Sequence, residues 1–321
     1  MKKSRIALVV ALLLCVISII GAGLVQTDFG KVKVIDVTME TGVGTLTGYL
    51  FVPENATSEN PAPAVVTSHG YLNNREMQDS TYVELARRGY VVFAMNAYGH
   101  GDSSVTSAKD ADSISVTTKG MVDAVEYVYG LSFVDDSRIG ITGHSMGAVI
   151  TDATATYYSD LENEALKNGA YAEAAHALNK IAASLPVGYS YSTIRGYNCD
   201  IGLILGTYDE FFSRNIDGGN LTPMIKSDMA KDLVTAQTGL TVDNLKQGTF
   251  YKNSKNGYSI ALYNPKQLHA VNHFSIKTTG YLVDFFEKTL KAPNPIAYSN
   301  QIWWLKELFN LLGFKRYIWR I

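Results

Sequence analysis

The sequence predicts an α/β protein with a mostly parallel central sheet, helices on both faces of that sheet, and one N-terminal transmembrane helix. Apolar runs of strand length alternate with segments of helical pattern from residue 31 to residue 290, which is typical of a parallel sheet covered by helices. Several of these runs end in short segments rich in glycine, histidine or serine, so polar side chains are expected to collect at one edge of the sheet. A separate uncharged run, Ile6 to Val25, follows Lys2, Lys3 and Arg5.

Composition excludes several classes of function. The 321 residues carry a net charge of −2, so no nucleic-acid partner is predicted. The two cysteines, Cys15 and Cys199, provide neither a disulfide framework nor the spacing of a zinc site. The sequence has no H-E-x-x-H, Walker or dinucleotide-binding pattern, and we therefore predict neither a metal nor another cofactor.

Residues 1–25 are predicted to anchor the chain in a membrane. A helix of 20 residues, Ile6 to Val25, is about 30 Å long and matches the hydrocarbon thickness of a bilayer. Gly21-Ala22-Gly23 resembles a signal-peptidase site only poorly, which favours an uncleaved anchor over a signal peptide. The basic N-terminus predicts a single-pass cell-membrane protein with everything after Val25 outside the cytoplasm; if the segment is cleaved, the protein is secreted.

The predicted elements of the main domain, residues 31–290, follow from its periodicity. Residues 160–179 are predicted to be helical, either as a cap over the site or as an extension of a crossover helix, and residues 211–256 are interpreted as an insertion bordering the pocket. The other predicted elements are a hairpin over 31–52, strands over 64–67, 90–95, 139–142, 181–187, 201–205 and 258–262, and helices over 77–88, 115–129, 146–158 and 275–290.

The segment Gly143–Gly147 organises the predicted active site. It joins an apolar strand to a helix within a very tight turn, with Ser145 at the apex. A serine in such a turn adopts a strained backbone conformation that only small neighbours permit, and the two glycines supply that room. The amide of Met146 is then expected to point to the place where negative charge develops on an attacked carbonyl.

Four further segments each follow a predicted strand: 68–71, 98–103, 206–209 and 273–275. With the Ser145 segment, and in this order, they resemble the α/β-hydrolase superfamily, particularly its dienelactone-hydrolase-like and prolyl-oligopeptidase-like esterase branches. The resemblance covers residues 31–290 and implies an α/β-hydrolase fold with a serine nucleophile. The large propeller domain of prolyl oligopeptidases is absent from this sequence.

Serine needs a base within hydrogen-bond reach, and histidine, with an ordinary pKa of about 6.5, suits that role. A carboxylate must hold the imidazole in one tautomer. The chain order in this fold is serine, acid, histidine, and Ser145, Asp209 and His273 follow it. Glu210 is the alternative acid and His269 the alternative base; we favour His273 because it precedes Phe274, Ser275 and a helix, as the base of the family does.

The oxyanion hole is predicted from two backbone amides, those of Met146 and Tyr71. His69 and Gly70 are expected to shape the loop that carries Tyr71, and His144 is interpreted as a packing or orienting group beside the nucleophile.

Residues 299–321 contain all three tryptophans, Trp303, Trp304 and Trp319, with leucines and basic residues. This amphipathic segment is predicted to lie at a membrane interface, or alternatively to dock as a helix on the catalytic domain.

The predicted function is that of a membrane-anchored extracytoplasmic serine hydrolase that cleaves a small-molecule carboxylic ester through an acyl-enzyme. A serine peptidase or amidase of the same fold is the nearest alternative. A third hypothesis is a catalytically inactive, membrane-tethered binding protein, against which the presence of all three catalytic residue types in order argues.

Overall fold

The computed structural model describes residues 2–104, 113–191, 193–213 and 222–318, with side chains between residues 5 and 313. Within these residues nine strands form a single sheet in the order β1-β2-β4-β3-β5-β6-β7-β9-β8. The strands from β4 to β9 in that order run parallel, whereas β1 with β2, β2 with β4, and β8 with β9 are antiparallel pairs. The strands are β1 Val32–Glu40, β2 Thr45–Pro53, β3 Ala62–Ser68, β4 Val91–Asn96, β5 Val134–His144, β6 Ala183–Val187, β7 Asp200–Ile204, β8 Phe250–Lys252 and β9 Ser259–Tyr263.

The predicted mostly parallel sheet is therefore confirmed. The sequence prediction missed the short edge strand β8, which has only three residues and lies half-buried inside the segment interpreted as an insertion. The α-helices are α1 Lys2–Gln26, α2 Asp79–Arg87, α3 Ile114–Thr117, α4 Met121–Tyr129, α5 Met146–Lys167, α6 Ala172–His176, α7 Asp228–Thr238, α8 Ile276–Leu290 and α9 Trp303–Ile318; 3₁₀ segments occur at Asp28–Gly30, Arg75–Gln78, Met224–Lys226 and His269–Phe274.

Two helix predictions are corrected by the structure. The helix predicted over 115–129 is divided into α3 and α4 at Gly120, whose φ of +92° is left-handed and interrupts the helical geometry. In the segment 160–179, α5 continues without a break to Lys167 and the short α6 follows. This segment is thus largely the extension of a crossover helix rather than a cap over the site.

The core lies on both faces of the sheet because neighbouring residues of a strand point to opposite sides. Val66 of β3 belongs to the apolar cluster that α4, α5 and α7 cover, whereas Val65 belongs to the cluster covered by α2 and α8. Strand β3 is buried along its whole length, as expected for a parallel strand with helices on both sides. The parallel strands also end at one common edge, where the loops after β3, β5, β7 and β9 meet.

The two terminal helices contact each other and the α2–α8 side of the domain. Within the described residues, the stretch Arg5–Gln26 of α1 is long and apolar enough to cross a membrane, by length and composition. Its last turn enters the protein core through Val25, which is 2% exposed. At the start of α9, Trp303 is buried in the same cluster, so this part of residues 299–321 contacts the catalytic domain, whereas Trp319 lies outside the described residues.

Candidate active site

The turn between β5 and α5 has the strained geometry predicted for it. Ser145 adopts φ 57° and ψ −113°, a conformation that L-residues rarely take. Its backbone N–H donates to the carbonyl of Val187, at 2.9 Å. The hydroxyl of Ser145 thereby stands at the N-terminus of α5, above the carboxyl edge of the sheet.

The two glycines of the segment are required by contacts that only Cα hydrogens permit. A Cβ on Gly147 would lie 2.2 Å from the carbonyl oxygen of Ser68, and one on Gly143 would lie 2.5 Å from the carbonyl oxygen of Gly147. Both distances are far below van der Waals contact. The end of β3 and the first turn of α5 therefore approach each other as backbone against backbone.

The histidine that reaches the nucleophile is His269. Its Nε2 lies 2.8 Å from Oγ of Ser145, and its Nδ1 lies 2.7 Å from Oδ2 of Asp209. An ionised carboxylate only accepts hydrogen bonds, so Nδ1 carries the proton and Nε2 accepts the proton of the Ser145 hydroxyl. Asp209 is fully buried and His269 is 7% exposed, so the hydrogen bond between them is shielded from water, whereas the bond to Ser145 is partly buried.

The sequence prediction of His273 as the base is therefore wrong, and the alternative, His269, occupies that place. His273 lies four residues further on, with its ring 4.7 Å from that of His144 and no hydrogen bond to Nδ1 from the described residues. Burial lowers the pKa of His273 to about 4. His269 reaches Ser145, and His273 does not, because residues 269–274 adopt a 3₁₀ conformation. With three residues per turn, His269 and Asn272 share the inner face of this segment, whereas His273 lies off that face.

Asp209 is located as predicted, at the end of the loop after β7. Its Oδ1 accepts the backbone N–H groups of Phe211 at 3.1 Å and Phe212 at 3.0 Å, and its Oδ2 also accepts Nδ2 of Asn272 at 3.3 Å. These donors orient the carboxylate toward the imidazole. The rings of both phenylalanines also contact the ring of His269, with centroids 4.8 and 5.6 Å away.

Glu210, the alternative acid, contacts the base loop by a different group. Its Oε2 accepts the backbone N–H of His269 at 3.1 Å. Asp209 and Glu210 thus hold the same histidine, one by the ring and one by the main chain. Asn272, Phe211 and Phe212 were not predicted as site residues; the signal for Asn272 was its three-residue spacing from His269.

The loop after β3 is held by His69. Its Nδ1 donates to the carbonyl of Gly70 at 2.8 Å, and its Nε2 accepts the backbone N–H of Ala97 at 3.1 Å. Burial lowers the pKa of His69 to about 4, so the neutral ring that this pattern requires persists at neutral pH. The prediction that His69 shapes the loop before Tyr71 agrees with these contacts, and the Tyr71 side chain itself is exposed.

His144 connects the nucleophile turn to the base loop. Its Nε2 donates to the backbone carbonyl of His269 at 3.1 Å. Burial, followed by the neighbouring rings of His273 and His269, lowers its pKa to about 3. A neutral ring donating through Nε2 matches the orienting role predicted for this residue.

The arrangement can activate a serine hydroxyl for attack on a carbonyl, with a positioned base and acid. The N-terminus of α5, which carries the Met146 amide, adds the positive end of a helix dipole beneath it. Among the described residues, no group of three or more His, Cys, Asp or Glu side chains could hold a metal ion.

One family model matches part of the chain. The sequence model of the family Hydrolase_4, described as serine aminopeptidase S33, matches residues 59–187, which include β3, the turn at Ser145 and β6. This match and the order of the sheet confirm the predicted α/β-hydrolase fold. The match supports a hydrolase, while the esterase branch named from sequence stays a prediction.

Individual proteins similar to this chain are distant from it. The uncharacterized protein YcjY of Escherichia coli (strain K12) is 28% identical over 107 residues, and the match covers 33% of this chain and 35% of YcjY, about a third of the relative's length. Among solved structures, a predicted CIB-like hydrolase from Thermoplasma acidophilum is 12% identical, with 88% of this chain and 99% of that chain covered and a TM-score of 0.47. The Pyrococcus furiosus esterase Pf2001 is 14% identical, with 82% and 96% covered and a TM-score of 0.47.

Proposed function

We propose that this α/β-hydrolase is a membrane-anchored serine hydrolase that cleaves a carboxylic ester outside the cytoplasm. The observation that carries the proposal is the position of His269 between Ser145 and Asp209, within 2.8 Å of the hydroxyl and 2.7 Å of the carboxylate. No other described histidine makes hydrogen bonds to both groups.

In the proposed reaction, Oγ of Ser145 attacks the ester carbonyl while Nε2 of His269 takes its proton. Asp209 stabilises the resulting imidazolium. The amides of Met146 and Tyr71 donate hydrogen bonds to the oxyanion. His269 then protonates the leaving alcohol, and a water molecule, deprotonated by the same nitrogen, releases the acid from the acyl-enzyme.

The packing of α1 supports a retained anchor rather than a cleaved signal peptide. Val25 is buried with Trp303 in the core of the catalytic domain, and the ring of Phe309 in α9 lies where a Cβ on Gly21 would be. Removing α1 would expose these apolar surfaces of α9 to water, at a cost of about 25 cal/mol per Å². With the basic N-terminus in the cytoplasm, the catalytic domain is extracytoplasmic.

A peptidase or amidase is the second candidate, because the matching family is described as a serine aminopeptidase. An aminopeptidase must pair the free α-ammonium group of its substrate with an accessible carboxylate. Glu210 is exposed beside the site, although one of its oxygens already accepts the His269 N–H. The catalytically inactive binding protein is the third candidate, and the hydrogen-bonded triad argues against it.

The test uses the full chain in detergent together with its Ser145→Ala variant. Both proteins are treated with a fluorophosphonate probe and with p-nitrophenyl esters of graded acyl length, and separately with aminoacyl p-nitroanilides. We expect labelling and ester turnover that depend on Ser145. Faster turnover of anilides than of esters would favour the peptidase, and a folded protein that neither labels nor turns over would favour the inactive one.

A further inference from the structure

Helix α9 packs along the C-terminal half of α1. The two contacts that define the packing are Phe309 against Gly21 and Gly313 against Ser18, where a Cβ added to either glycine would lie 2.4 and 2.8 Å from the partner side chain. As the residue number rises along α9, it falls along α1, so the helices run antiparallel. Small residues on each helix permit this close approach, as they do between helices in membranes.

The first turn of α9 is fixed to the catalytic domain by charged and apolar contacts. The backbone N–H groups of Ile302 and Trp303 donate to Oε1 of the buried Glu84, at 2.7 and 3.0 Å. Nζ of Lys306 pairs with Asp79 of α2 at 2.9 Å. Thus α9 occupies a defined place between the catalytic domain and the proposed anchor.

The loop that carries the catalytic base has two faces of opposite character. Side chains three residues apart eclipse each other in a 3₁₀ helix. His269 and Asn272 lie on the inner face and are buried, whereas Leu268, Val271 and Phe274 lie on the outer face and are 42–52% exposed. All three outward-facing positions of this loop are therefore apolar, although the catalytic chemistry does not require apolar side chains there.

The outer face of this loop adjoins α9. The ring of Phe274 lies 6.4 Å from that of Trp303, and the two residues line an open groove of about 480 Å³ with Trp304, Leu311 and the polar Glu307 and Asn310. Trp304, Leu308 and Leu311 of α9 are themselves about half exposed. A series of ring contacts connects this surface to the site: from Phe274 through His273 and His144 to His269, successive ring centroids are 4.6, 4.7 and 4.8 Å apart.

Further large apolar side chains are exposed on the loops that carry site residues. Phe211, whose ring contacts His269, is 63% exposed, and Leu72 in the loop after β3 is 81% exposed. Exposed apolar side chains that lie on the base loop and adjoin the α9–α1 helix pair differ from scattered surface residues. Contiguous exposed apolar patches mark sites of protein or membrane contact.

We propose that the apolar rim formed by the outer face of 268–274 and the exposed face of α9 rests in the interfacial region of the lipid leaflet from which α1 emerges. The occupant is the bilayer, because the rim is continuous with α1. The active-site mouth opens onto the leaflet, and the substrate class is an amphiphilic ester held in the membrane. This inference rests on the proposed function, since it names the substrate class of the same site.

Two measurements on the full chain, reconstituted in phosphatidylcholine vesicles, test the inference. The first compares turnover of p-nitrophenyl butyrate in solution with turnover of a fluorogenic oleate ester dissolved in the bilayer. The variant Leu268→Ser/Val271→Ser changes only the outer face of the loop; Leu240→Ser, at a leucine of similar exposure beyond α7, is the matched control. We expect at least about a fivefold loss with the oleate ester in the loop variant, unchanged butyrate turnover, and wild-type rates for the control.

The second measurement uses intrinsic fluorescence, since all three tryptophans lie between residues 303 and 319. Vesicles that contain phosphatidylcholine brominated near the headgroup should quench this fluorescence more strongly than lipid brominated near the chain end. In a Trp319→Phe background, the further change Trp304→Phe should remove most of the quenched component, because Trp303 is 4% exposed.

The outcomes separate the inference from the function on which it rests. If the protein hydrolyses butyrate, but the loop and control variants cleave the oleate ester at equal rates and no quenching is seen, the membrane-facing rim is overturned. The proposal that the protein is a serine hydrolase would still stand. If neither ester is cleaved and the fluorophosphonate probe does not label Ser145, the proposed function fails, and with it the substrate class. Selective loss of oleate turnover together with quenching supports both.

Discussion

The turn at Ser145 and the loop that carries His269 meet at one hydrogen bond, yet different factors determine their conformations. In the turn, contacts with the backbone of the turn itself and of Ser68 in β3 admit only glycine at residues 143 and 147. In the loop, the choice between two histidines depends on a 3₁₀ twist and on partners about 60 and 120 residues away in the chain. The first requirement leaves a glycine pattern that can be recognised in a sequence, whereas the choice between two identical side chains leaves none.

The largest expected effect separates the two histidines of the loop. His269→Ala should lower kcat by about 10,000-fold or more, as loss of a catalytic base does in other serine hydrolases. His273→Ala should change kcat by less than about tenfold, because His273 makes no hydrogen bond to Ser145 or Asp209 among the described contacts. Steady-state turnover of p-nitrophenyl butyrate measures both. Comparable losses in the two variants would contradict the assignment of His269.

The second prediction concerns the turn. Gly147→Ala places a methyl group 2.2 Å from the Ser68 carbonyl oxygen, so either β3 or α5 must move. We expect a loss of several kcal/mol in the free energy of unfolding, or failure to fold. Gly42→Ala, where a Cβ would meet no atom within 4 Å, should change stability by less than about 1 kcal/mol. Chemical denaturation of the two variants, or the folded fraction recovered on purification, makes the comparison.

The features that could be predicted from the sequence are those that leave a recognisable pattern in it, as the turn at Ser145 does. The order of strands and helices, the serine, the acid and the shaping role of His69 all depend on periodicity or on short motifs, and the structure agrees with them. The base was mispredicted because the residues that follow His273 resemble those of the family, while the three-residue period of 268, 271 and 274 gave no conventional helix signal. Strand β8 was missed because it has only three residues and pairs at the edge of the sheet with β9. The break at Gly120 was missed because a glycine inside an apolar helical pattern does not by itself reveal a left-handed φ.

The third prediction is the pH dependence of stability. Burial lowers the pKa of His69 and His273 to about 4 and that of His144 to about 3, from 6.5. Between pH 6.5 and 4 the unfolded chain binds protons that the folded chain does not, so the free energy of unfolding is full above pH 6.5 and falls as the pH drops. The fall is on the order of 1–3 kcal/mol per histidine.

His273→Gln tests the origin of this dependence. Because Nδ1 of His273 has no hydrogen-bond partner among the described residues, the substitution removes a titrating group with little loss of bonding. Urea denaturation at pH 7, 6, 5 and 4.5 should show a shallower decline for the variant than for the wild type. Parallel curves would mean that His273 is not the source of part of the decline, and that its ring is more accessible to water than the structure indicates.

The smallest expected effect tests how the base loop is positioned. Asn272 accepts Nε2 of Gln267 at 2.6 Å and donates to Oδ2 of Asp209 at 3.3 Å, so it ties the loop to the acid without contacting Ser145. Asn272→Ala should lower kcat by about tenfold, since a hydrogen bond to a charged group contributes about 1.5–3 kcal/mol and two backbone amides still hold the carboxylate. KM should not change, because the loss affects the orientation of the triad and not substrate binding. Asn253→Ala is the control, because its amide likewise makes two hydrogen bonds, donating to the Gln237 carbonyl and accepting the Lys255 N–H. An equal loss of kcat in both variants would indicate general destabilisation instead of a positioning role.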